Sequence, residues 1–123
     1  MAETWESLFR KWIGRLVYDK GWQCRFTATC AVSDDADAEV KVYPEHREVE
    51  FLYRPDSVPN NASACHEVCH ILTTRMDLTA QGVVAQLGDP QGLAKIALDG
   101  ACEQVTHDLV RLFLRIYEEE EVT

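Results

Sequence analysis

The apolar residues change their period twice along this chain, and that change limits what it can fold into. At the N-terminus they fall at Trp5, Leu8, Phe9, Trp12, Ile13, Leu16 and Val17, the spacing of a helix with one buried face. The pattern predicts a helix over residues 4–20, ended by Gly21. Trp22, Cys24, Phe26 and Ala28 then alternate with polar residues, the period of two that gives a strand one buried face. After the acidic stretch "SDDADA", Val40 and Val42 mark a second strand. "PEHR" marks a turn, and Val49, Phe51 and Tyr53 mark a third strand, so residues 39–54 read as a hairpin. Glu48 and Glu50 alternate with those apolar residues and "RPDSVP" follows them. The third strand therefore reads as the edge of its sheet, since charges and a proline are how edges are blunted.

Helical spacing returns after "NNAS", where Asn60 and Asn61 are N-cap candidates for a helix over about residues 62–75. Residues 76–88 permit another short helix. Asp89 and Pro90 then suit the N-cap and first position of a final helix carrying Leu93, Ile96, Val105, Leu109, Leu112 and Ile116, with Gly100 a possible division. Helix, strands and helices in separate blocks argue an α+β fold with a three-stranded, mostly antiparallel sheet. At 123 residues, with no repeat or linker, the chain fits one domain, residues 118–123 being an acidic tail.

Composition narrows the function classes. A net charge of −9 with no basic patch argues against nucleic acid, whose phosphates such a surface repels. No apolar run approaches a membrane span, and the N-terminus has neither the basic start nor the apolar run of a signal peptide. Five scattered cysteines, an odd number, favour free thiols in a reducing compartment, so a cytoplasmic location is expected.

Chemistry concentrates in "SACHEVCHIL". On a helix, His66 and His70 lie only ~40° apart around the axis and about 6 Å apart along it, so both imidazoles can meet one ion. Zinc suits them, because it binds neutral imidazole and imposes no geometry through its d-electrons. Glu67 is rotated ~100° from His66, where its carboxylate can reach a water beside the ion instead of binding the ion itself. A catalytic zinc usually takes three protein ligands. Downstream, "CEQVTHDLV" sets Glu103 and His107 four apart on one face of the last helix, a carboxylate and an imidazole available as the third. Cys65 and Cys69 also stand four apart, but one ion cannot comfortably take neighbouring cysteines and histidines from a single helix. With Cys102 they read better as small buried residues where helices pack.

"HEVCH" followed by "EQVTH" on a later helix resembles the gluzincin branch of the zincin metallopeptidases, in particular its minimal and phage-encoded members. The resemblance runs from about Trp22 onward and rests on five residues. It implies Zn2+ held by His66, His70 and Glu103, with Glu67 as general base and His107 supporting a ligand. It also implies an extended peptide substrate paired along an edge strand, here Val49, Phe51 and Tyr53. Tyr53, His46 and His107 are candidates to stabilise the oxyanion, none of them by spacing. The SprT-like branch uses a third histidine, which would make His107 the ligand and Glu103 its support. The substrate-binding subdomain of larger gluzincins is missing here. Three functions follow as expectations: a zinc-dependent peptidase; a binding or regulatory module that keeps the scaffold for a single protein partner; or a structural zinc site closed by a fourth ligand such as His107 or a cysteine.

Overall fold

The computed structural model describes residues 3–17, 21–32, 36–88 and 92–117. Among these residues the chain forms helix α1 (Trp5–Leu16), strands β1 (Gln23–Ala28), β2 (Ala38–Tyr43) and β3 (Glu48–Tyr53), and helices α2 (Asn61–Leu87) and α3 (Leu93–Ile116). This is the expected α+β order. Helix α1 begins in a capping box: the Ser7 amide donates to Thr4 Oγ1 and the Thr4 amide donates to Ser7 Oγ, so two amides left without helical partners are satisfied together. Its apolar stripe of Trp5, Leu8, Phe9 and Trp12 is buried.

The sheet is mixed and its order is β1-β3-β2. β2 and β3 form the expected antiparallel hairpin, whereas β1 adds to the far side of β3 in parallel. This corrects the edge assignment: β3 is the central strand, and Val49, Phe51 and Tyr53 cannot offer backbone to a third partner. Glu48 and Glu50 mark an exposed face, not an exposed edge. Arg25 of β1 and Lys41 of β2 stand opposite Glu50 in register, and Arg25 reaches Glu48 at 3.8 Å. The other face is apolar. Val49 and Phe51 are 0% exposed, and Phe51 stacks on Phe9 of α1 with ring centroids 4.4 Å apart. Phe26 stacks on both of these rings.

The helix expected over 62–75 runs on without interruption to Leu87, 27 residues and about 40 Å. No proline breaks it, and its C-cap is Gly88, whose φ of 62° is left-handed backbone that glycine adopts without cost. Helix α3 likewise continues through Gly100, where a Cβ would meet nothing within 4 Å. Its N-cap is Gly92 and not the expected Asp89; Asp89 and Pro90, the latter expected as the first helical residue, lie outside the described residues, as does the tail 118–123.

Candidate metal centre

The N-terminal end of α2 is fixed by local chemistry before any ligand enters the account. Asn60 caps it, accepting the Ser63 amide at 2.9 Å. Asn61 Oδ1 accepts the Trp12 indole N–H at 2.9 Å and the Lys11 ammonium at 2.8 Å, so α1 holds the first turn in place. The side facing the core carries Ala64, Cys65, Val68 and Cys69, all 0% exposed. His66 and His70 consequently turn to an adjacent stripe, half-buried, with His66 against α3 and His70 beside β2.

His66 is the hub. Its Nε2 lies 3.0 Å from His70 Nε2 and 3.3 Å from Glu103 Oε1. Glu103 Oε1 is also 3.3 Å from His107 Nε2, and the His66 and His107 rings are 4.9 Å apart. The potential ligand atoms form two overlapping sets within 4.8 Å, His66–Glu67–His70 and His66–Glu103–His107. His70 and Glu103 thus stand in different sets, joined through His66. A tetrahedral ion with bonds of 2.0–2.1 Å keeps its ligand atoms about 3.3 Å apart, so the His66–His70 and His66–Glu103 separations are close to those of such an ion, whereas His70 and Glu103, which share no set within 4.8 Å, would have to draw together around it. Burial, reinforced by His70, lowers the His66 pKa and favours the neutral imidazole, the form that binds metal.

Glu67 is held between α2 and β2, accepting the Val40 backbone N–H. Burial pushes its pKa up to about 8, with the charges of Glu39 and Glu103 adding to the effect and the Val40 bond opposing it. The strand supplying that bond is an edge. The Arg54 amide donates to Asp37 O, which makes that pair hydrogen-bonded. Alternation along the antiparallel register therefore turns the amides and carbonyls of Ala38, Val40 and Val42 away from β3. Two clefts lie along this edge. One of about 410 Å³ is lined by Ala38, Ser63, His66, Glu67 and His107; the other, of about 400 Å³, by Ala38, Glu39, Val40, Glu67, His70 and Asp77. Glu67 borders both.

The remaining expectations sort clearly. His107 joins the cluster and lines the first cleft. Tyr53 packs against the hydrophobic core beside its neighbour Ala38 in β2, and neither it nor exposed His46 lines either cleft. Cys65 and Cys69 face the core, and hydrogen bonding to Cys65 together with burial raises the Cys69 thiol well above its usual range, which disfavours thiolate coordination. Among the described residues neither metal-ligand set contains a cysteine. The role of β2 was missed because its signal was weak: two valines beside an acidic loop look like a minor strand. Comparison with family models, curated proteins and solved structures returned no match.

Proposed function

We propose that this chain is a metal-dependent peptidase, with zinc the ion its ligands suit best. The observation that carries this reading is the position of His66, 3.0 Å from His70 and 3.3 Å from Glu103, with the carboxylate of Glu67 beside it at the border of two clefts. His66, His70 and Glu103 would hold the ion, which when bound polarises a carbonyl and makes a neighbouring water more acidic. The rest falls to the chain itself. Burial keeps His66 neutral and ready to bind. With the ion bound, whose charge favours the ionised carboxylate, Glu67 would take a proton from the attacking water and pass it to the departing amine. In the free protein the Val40 N–H holds that carboxylate at the strand edge. An extended peptide would pair with β2, whose outward amides and carbonyls run past Glu67.

A second ligand set has an observation in its favour: Glu103 Oε1 is as close to His107 Nε2 as to His66 Nε2, both at 3.3 Å. If His107 is the third ligand, with Glu103 orienting it, His107→Ala will weaken metal binding more than Glu103→Gln does.

The main test is Glu67→Gln. The variant is expected to bind metal stoichiometrically and lose peptide hydrolysis by about 10²–10⁴-fold. Turnover at the wild-type rate would overturn the assignment. Wild-type protein that binds metal yet cleaves nothing in a peptide library would instead favour a module that binds one protein partner.

A further inference from the structure

Helices α2 and α3 pack mainly through apolar and small side chains, which by themselves tolerate sliding. A buried polar contact between them does not. Thr73 and Thr106 are 4% and 1% exposed, and their Oγ1 atoms are 3.2 Å apart across the interface. Thr106 Oγ1 donates to Cys102 O at 3.0 Å. Its single proton is thereby used, so the cross-helix bond is donated by Thr73 and accepted by Thr106. Thr73 Oγ1 also lies 3.4 Å from Cys69 O and 3.5 Å from His70 O. The pair therefore sits beside the cluster on both helices: Thr106 bonds the carbonyl of Cys102, which directly precedes Glu103, and Thr73 stands three residues after His70.

We propose that Thr73 and Thr106 are positioning residues, a buried hydroxyl pair that sets the register of α3 against α2 and so places the Glu103 carboxylate against His66. The physical basis is the asymmetry of buried hydrogen bonds. A made bond adds little net stability, but a slip that separates the two hydroxyls leaves polar atoms unpaired in an apolar interface, which is costly. A single polar contact can therefore select one register among several that apolar packing would accept. Glu103 is the ligand most dependent on this. His66 and His70 share one helix and hold their spacing whatever α3 does, whereas Glu103 reaches them only across the interface.

The proposal rests on the reading of this cluster as a metal centre, and its test separates the two. Thr73→Val with Thr106→Val keeps side-chain shape and removes both hydroxyls together, so neither is stranded and the double variant should stay folded with nearly wild-type stability. Thr73→Ser with Thr106→Ser keeps the hydroxyls and loses two buried methyl groups, so it should be less stable but correctly registered. Zinc affinity, by competition with a chromophoric chelator, is expected to fall by about tenfold or more in the valine pair and to stay at the wild-type value in the serine pair. The visible spectrum of bound cobalt(II) should change in the valine pair alone. A readout that needs no metal accompanies these: in crystals of the metal-free valine pair, the Glu103 carboxylate should lie about 1 Å or more farther from His66 than in wild type. Unchanged affinity, cobalt spectrum and Glu103 position in the valine pair would overturn the proposal and leave the threonines as packing residues. Should wild-type protein bind no metal, the metal-centre reading fails, and the metal-free crystal comparison alone decides the register.

Discussion

Glu67 concentrates the electrostatics of the molecule in one side chain. Its pKa of about 8 in the folded protein stands against an ordinary 4.5, so between those values the folded state holds a proton that the unfolded chain has released. A raised carboxylate pKa therefore costs stability as pH rises through that window. His66 acts at the other end: its lowered pKa makes the folded state less stable as pH falls below the ordinary 6.5. The interval from pH 6.5 to 8 isolates Glu67. In metal-free protein the stability advantage of Glu67→Gln over wild type should grow by about 2 kcal/mol across it, at about 1.4 kcal/mol per pH unit. Urea unfolding of both proteins at the two pH values, with chelator present, measures this. A constant difference would mean that the folded protein does not protect that proton. Bound metal should shrink the effect, because a nearby cation favours the charged carboxylate.

At the level of elements, the central position of β3 makes a pattern measurable by amide hydrogen exchange. Glu39, Lys41 and Tyr43 direct their amides into β3 and should exchange slowly, whereas Ala38 and Val42, turned outward, should exchange fast. Equal protection along β2 would mean that another segment covers this edge. Much of the architecture was legible beforehand because its cause is local. The stripe from Trp5 to Trp12 could only be one face of a helix, and Asn60 could be recognised as a cap without tertiary information. Strand order was not legible, because it depends on which pairs form across the sheet. Charges at Glu48 and Glu50 report exposure, and an exposed face of a central strand writes the same alternation as an edge. The four-residue steps from His66 to His70 and from Glu103 to His107 foretold which side chains share a face. That the two faces meet at His66 required the packing of α3 on α2. The Thr73–Thr106 contact had no signal at all, since either threonine alone reads as an ordinary helix residue.

Across the whole molecule, the core shares helices α2 and α3 with the candidate metal centre but none of its ligand side chains. The aromatic stack of Trp5, Phe9, Phe26 and Phe51 joins α1 to the sheet without using any ligand residue. Chelation should therefore lower the melting temperature without unfolding the domain, unlike a structural zinc site, where fold and metal depart together. With zinc at a hundred times its Kd the stabilisation is about 2.7 kcal/mol, a shift on the order of 10 °C readable by calorimetry. Loss of the folded circular-dichroism signal at 25 °C in chelator would point to the structural site instead. Among the described residues no helix is long and apolar enough to cross a membrane. The bond between Glu67 and Val40 carries a last consequence. The carboxylate takes the middle amide of the outer margin of β2, where it borders both clefts. Were a peptide to pair along that margin as proposed, it would displace the carboxylate from Val40, so arrival of the guest and release of Glu67 would be a single event.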